Sequence, residues 1–320
     1  MAVVHAFSDG PYNRSSFHLA GCSTLVSFVA SRIALKAVYG LQSCDANVND
    51  PTVDTNNNHN GNSSSSHPYA GLVDHVSVMP LMGHDEATIT SETRSESNDV
   101  SAPSSSSDGP NEFSPTTASG KAARSIGRCL SNAGVNVFYY GSAHEETAPL
   151  AQVRRESTNF FDTTGSTDRS VGTATVGAPL SFVENYNVRL TDKCNRKTAR
   201  DLTKHLRERD GGLAGVEALT LPYSNGRYEA ACNLLQPNVG SAEAIEERAH
   251  EWARTKLDSL SLNSVDELVG TMYRVGTTCR MCQQVMDLCD DRDGNNTEST
   301  ERMKQHDKAV FQQLQEYLSV

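Results

Sequence analysis

The sequence predicts an α+β protein whose mixed or antiparallel sheets are each covered by helices on one side. Three observations carry this. In the second half, VEALTLPY and RYEAACNLL alternate with strand period and are joined by Ser224-Asn225-Gly226, a hairpin turn signal. TARDLTKHLRERDGG and the run holding Ile245, Ala249, Trp252 and Leu257 place apolar residues at helical spacing instead. The order past about residue 172 then reads strand, strand, helix, strand, strand, helix, which leaves a second apolar face beneath each sheet for two modules to pack through.

Taken from the start, residues 2–7 and 15–20 are short extended runs flanking the turn-rich piece SDGPYNR. A helix is expected over about 22–41, with Val26, Val29, Ile33 and Ala37 on its inner side. Arg32 and Lys36 make it amphipathic rather than a membrane span. DANVNDPTVDTNNNHNGNSSSS is too poor in apolar residues to offset its own ordering entropy, and the Ser-, Thr- and Pro-rich stretch after Ser91 is similar. Disordered insertions are therefore expected over about 45–65 and 94–119.

Between them His67-Pro68 leads into LVDHVSVMPL, which alternates like a buried strand. KAARSIGRCLSNAG reads as a helix closed by Gly134, VNVFYYG as a strand, and LAQVRRES as a short helix with its charged side in solvent. A Thr-, Gly- and Asp-rich linker at about 162–172 divides the chain into a first subdomain, 1–170, and a second, 171–290. The second opens with strands ATVGAP and NYNVRL. Residues 291–320 form a polar tail.

The chain has 320 residues, enough for two domains of ordinary size, and 37 % of them are hydrophobic. A formal charge of −11 with no basic stripe argues against general nucleic-acid binding. Eight cysteines without a repeating framework, and a start lacking a charged and then apolar leader, point to a reducing, cytoplasmic setting.

Most chemistry-bearing motifs fail on inspection. Gly120-Lys121 lacks the upstream glycine of a phosphate loop and is followed by alanine. Cys279-x-x-Cys282 with Cys289 lacks a fourth ligand and a second knuckle, and cysteines three apart share one helical face, so no metal site is expected. Setting Gly294 at the glycine of a calcium loop places Cys289 first and Thr300 last, where a bidentate glutamate is needed. The basic run Arg200–Arg209 reads as a solvated helix face. His59 is spacer, His84 lies in a loop, and His75, beside Asp74, reads as structural. His67 precedes a proline that biases it to an extended conformation at a strand entry. On position alone it is an ordinary loop histidine.

Several blocks together change that weighting. SHPYAGLVDHVSVMPL, NVFYYGSAHEETAPLAQVRRE, TVGAPLSFVENYNVRL and GGLAGVEALTLPYSNGRYEAACNLLQPN resemble, in order, the formiminotransferase domain family, and SDGPYNRSSFHLAG is similar to its early Asn-Arg turn. The resemblance covers roughly 3–41, 66–92 and 120–290. It implies two α/β subdomains whose sheets face one another, helices outside, with a folate-binding tunnel between. The family begins with a strand and helix ahead of the SDGPYNR region, so the first subdomain is expected to be truncated.

The resemblance also implies an activity: transfer of the formimino group of N-formimino-L-glutamate to N5 of tetrahydrofolate, with His67 of the His-Pro motif as general acid/base. The folate loop maps onto Thr175, Val176 and Gly177, with Asp9, near the early turn, and Asn187 expected in support. Arg154 and Arg155 are candidates to meet the anionic substrates. Tyr69 stands where the family carries arginine. An alternative is therefore an inactive folate-binding or interaction protein that keeps the fold. The expected partners are folate and formiminoglutamate, with no nucleic acid and no membrane, and homo-oligomer formation stays open.

Overall fold

The computed structural model describes residues 1–48, 70–81, 116–156 and 171–293, with 301–302, 304–309 and 312 beyond them. His59, His67 and His84, and most of the two expected insertions, lie outside the described residues.

The chain opens with a hairpin of β1 (Ala2–Asp9) and β2 (Arg14–Ala20), antiparallel and registered Asp9 against Arg14. Its turn is shaped by Asn13 in the left-handed region (φ 51), whose N–H donates to the Gly10 carbonyl at 3.0 Å. Helix α1 (Ser23–Val48) follows and runs seven residues beyond its expected end.

A parallel sheet of order β3-β5-β4 comes next, built from β3 (His75–Ser77), β4 (Asn136–Gly141) and β5 (Thr173–Ala178). Helix α2 (Ala118–Asn132) precedes β4, and α3 (Leu150–Glu156) follows it. Helix α2 begins slightly earlier than expected because Thr117 is its N-cap, accepting from Gly120 N at 3.0 Å. Ala34 and Val38 of α1 and Ala123, Ile126 and Leu130 of α2 pack with Ala174, Val176 and Ala178 of β5 into the first core.

ATVGAP and NYNVRL, expected as strands of one layer, belong to different sheets. The chain breaks at Pro179, and β6 (Glu184–Leu190) begins a second sheet. Helix α4 (Arg196–Leu206), β7 (Val216–Pro222), β8 (Tyr228–Leu234), α5 (Ala242–Leu260) and β9 (Val269–Val275) complete it. This β-α-β-β-α-β run pairs antiparallel in the order β7-β8-β6-β9, the ferredoxin-like arrangement.

Between β7 and β8, Asn225 and Gly226 both take positive φ (61 and 72), as a primed hairpin turn requires. Helix α4 stops at Leu206, short of the double glycine, because Arg207 turns extended and bridges to Leu213. Ala199, Leu202 and Leu206 of α4 and Ile245, Ala249 and Trp252 of α5 cover one face of the sheet, where they meet Val188, Ala218, Ala230 and Leu234. The other face of the sheet is turned toward the first half of the molecule. Helix α6 (Cys279–Asp293) leaves β9 and returns to the N-terminal hairpin, where Cys282 and Val285 pack on Val4 and Ala20.

Candidate functional site

A cleft of about 1900 Å³ separates the two halves. One wall comes from the hairpin turn at 8–14, the segment Ala70–Leu81 and the inner side of α1. The other is the uncovered face of the second sheet.

Strand alternation decides what that face presents. In β6, Tyr186, Val188 and Leu190 point to the helices, which leaves Asn185, Asn187 and Arg189 to the cleft. In β8, Ala230, Cys232 and Leu234 are core, and Glu229, Ala231 and Asn233 are on the cleft side. Tyr223 and Tyr273 flank this polar patch.

Glu229 is fully buried and accepts from three donors: Tyr12 Oη at 2.5 Å, Asn187 Nδ2 at 2.8 Å and Tyr273 Oη at 3.0 Å. A carboxylate out of water survives only with such compensation. Arg189 Nε lies 3.6 Å from the same carboxylate, and Arg189 Nη2 donates to the hydroxyls of Tyr223 and Tyr273. The two rings also stack on the guanidinium, with centroids 4.1 and 4.5 Å away. Tyr12 comes from the N-terminal hairpin turn, so this network ties the first half of the chain to the second.

The opposite wall carries a second set of charges. Asp74 pairs with Arg14 at 2.6 Å and with Arg154 at 3.3 Å, and Arg154 also donates to Thr175 Oγ1 at 3.0 Å. Next to Asp74, His75 opens onto the cleft and makes a 2.9 Å hydrogen bond through Nε2 with Tyr140 Oη. The ring keeps contact with cleft water although protein surrounds it. Desolvation by those walls pushes its pKa down, Arg154 adds to the fall, and Asp74 opposes it, so the imidazole is neutral near pH 7. A structural role was expected of His75; its place on the cleft wall adds a neutral acceptor or donor facing any ligand.

The remaining expected residues separate into two groups. Asp9 and Asn187 both line the cleft, Asp9 also fixing the hairpin turn by accepting from Tyr12 N at 3.2 Å. Thr175, Val176 and Gly177 are buried in the middle strand of the parallel sheet and line none of the cleft. Thr175 reaches it only through Arg154 and Asp74. Gly177 leaves room for the Tyr140 ring, which a Cβ there would meet at 2.3 Å. Arg154 is held behind the wall and Arg155 is exposed, whereas Arg14, Arg189 and Arg274 line the cleft. Ala70, three residues after His67 in sequence, lines it too.

The donors in this cleft suit a ligand rich in ring nitrogens and carboxylates. Asn185, Asn187 and Asn233 supply amides, Arg14, Arg189 and Arg274 positive charge, and Tyr223 and Tyr273 aromatic faces. The volume exceeds that of an ordinary small-molecule pocket, which is ~300–1000 Å³.

Known proteins resemble this chain in sequence. Residues 1–179 match the family model of the formiminotransferase domain, N-terminal subdomain. Over 272 residues, 77 % of this chain and 75 % of the relative, the sequence is 30 % identical to a formiminotransferase cyclodeaminase-like protein of Arabidopsis thaliana. The chain belongs to the formiminotransferase domain family.

Proposed function

We propose that this protein is a folate-dependent formimidoyltransferase that moves the formimino group of N-formimino-L-glutamate to N5 of tetrahydrofolate. The observation that carries the reading is the two-walled cleft in a member of this family, large enough for both substrates and lined by Ala70, which follows the His-Pro motif. Tetrahydrofolate, when bound, supplies the accepting nitrogen. His67 acts as general acid/base, taking the proton that nitrogen gives up and returning one to the departing glutamate nitrogen. An imidazole with an ordinary pKa of ~6.5 does both near neutrality.

His75, neutral on the same cleft, complements that role by hydrogen bonding without adding charge. Asp9 and Asn187 support the ligands directly from the cleft wall. In this reading Thr175, Val176 and Gly177 serve folate binding from behind the wall. Thr175 sets Arg154 and Asp74, and Gly177 sets Tyr140 and hence His75. Holding both substrates in register contributes much of the acceleration. The setting we propose is cytoplasmic.

Purified protein incubated with formiminoglutamate and tetrahydrofolate is expected to yield 5-formiminotetrahydrofolate, and His67→Ala to abolish the product. Turnover that survives the substitution rules out the mechanism. Calorimetric folate binding without turnover in the wild type favours a binding protein instead.

A further inference from the structure

We propose that Arg189 is the carboxylate anchor of the cleft, recognising a carboxylate group of one of the two substrates through Nη1 of its guanidinium; the identity of those substrates rests on the function proposed above. The side chain stands on the cleft side of β6 with 31 % of its surface open. Its rotamer is fixed before any ligand arrives, because tyrosines 223 and 273 sandwich the plane and accept from Nη2. Preorganisation of this kind removes the ordering cost of a long side chain on binding.

The pairing with Glu229 leaves the cation only partly compensated. A charge-assisted N–H···O contact closes to ~2.7–2.9 Å, yet Arg189 Nε stays 3.6 Å from Oε2 and, though buried, makes no hydrogen bond. On the carboxylate, Oε1 accepts from Tyr12 and Asn187 and Oε2 from Tyr273. Among the described residues nothing bonds to Nη1. With Nη2 given to the two tyrosines and Nε turned to Glu229, Nη1 remains for an incoming acceptor, and a carboxylate oxygen suits it.

Arg14, also on the cleft, is closed by a 2.6 Å contact with Asp74, and Arg274 pairs with Glu184. Neither has the tyrosine cradle that Arg189 has.

The test is calorimetric titration of the full chain, wild type, Arg189→Gln and Arg189→Lys, with three probes: folate, pterin (the bicyclic ring alone, without any carboxylate) and N-formimino-L-glutamate. Arg189→Gln is expected to weaken a carboxylate-bearing probe by about ten- to a hundredfold, the scale of one hydrogen bond to a charged group. Pterin affinity is expected to stay unchanged. A loss confined to folate assigns the anchor to the folate tail; a loss confined to formiminoglutamate assigns it to the donor. Arg189→Lys, which keeps the charge opposite Glu229 but not the planar group that Tyr223 and Tyr273 hold, is expected to fall between, and carries the test if the glutamine variant does not fold.

Unchanged affinities, or an equal loss for pterin and folate with none for formiminoglutamate, overturn the assignment. If the wild type binds none of the probes, the proposed function fails on its own terms and glutarate decides the anchor. Saturable glutarate binding lost in Arg189→Gln upholds it, and absence of that binding removes it.

Discussion

Two buried polar residues show how single side chains constrain this molecule. Glu229 is charged and wholly removed from water, and only the convergence of Tyr12, Asn187, Tyr273 and Arg189 makes that tolerable. His18 on β2 is the contrasting case, since its Nδ1 shares a 3.2 Å hydrogen bond with Thr277 while its Nε2 is buried without a partner. Phe7 stacks on the ring, and His5 lies with its centroid 5.8 Å away. Burial pushes the His18 pKa down to about 4, and His5 reinforces the fall.

The sign of the consequence follows from proton uptake. Above pH ~6.5 the imidazole is neutral in both folded and unfolded chains, so its full contribution to stability is present. Between ~6.5 and about 4 the unfolded chain takes a proton that the folded one refuses, and stability falls as the pH drops. Urea unfolding at pH 7, 6 and 5 is expected to show this decline, at less than about 1.4 kcal/mol per pH unit from this residue. His18→Gln is expected to flatten the slope; equal slopes in variant and wild type would remove His18 as its source.

At the scale of elements, what was legible in the sequence was local chemistry. Asn225-Gly226 announces its turn because only a few residue types accept positive φ, and both take it. Thr117, Asn195 and Ser241 cap α2, α4 and α5, a local signal that the expected helix starts did not use. Elements made by distant pairing were less visible. Strand β9 was not anticipated, since VGTMYRV contains Gly270, exposes Thr271, and becomes a strand only by pairing with β6. Strand β3 is three residues long where the alternation of LVDHVSVMPL suggested more, because its pairing with β5 covers only His75–Ser77.

The candidate site divides the same way. His67 stands on a resemblance to a family and not on periodicity. Arg189 carried a signal, the polar positions of NYNVRL, that becomes informative only once the other face of the strand is known to be covered by helices.

Gly177 shows what an element can hide. It sits in the middle of β5, where glycine is ordinarily a weak choice, yet the Tyr140 ring occupies the space its side chain would need. Tyr140 in turn holds His75 at the cleft. Gly177→Ala is expected to destabilise the fold by about 1–3 kcal/mol through overpacking and to displace His75. Chemical denaturation reads the first effect, and the shift of the His75 resonances in a proton titration the second. An alanine variant with wild-type stability and an unmoved His75 would refute the packing argument.

Across the whole molecule, the two ends of the described fold depend on each other. Strands β1 and β2 form a sheet of their own, and a two-stranded hairpin is marginal in water at best. What it packs against comes from much later in the chain: Cys282 and Val285 of α6 cover Val4 and Ala20, and Thr277 meets His18. His306 adds a 3.0 Å hydrogen bond to the Val3 carbonyl. The hairpin also carries Tyr12 into the Glu229 network and Arg14 onto Asp74, so its placement sets both walls of the cleft. Ending the chain at Thr278 therefore deletes residues adjoining the second sheet but should loosen the first half. Hydrogen exchange is expected to lose protection in β1 and β2, while the amides of β6 and β8, held by their own core under α4 and α5, stay protected. Loss confined to β9 and its neighbours, with the hairpin still protected, would mean that the N-terminal strands are secured from elsewhere and that α6 does not close the fold.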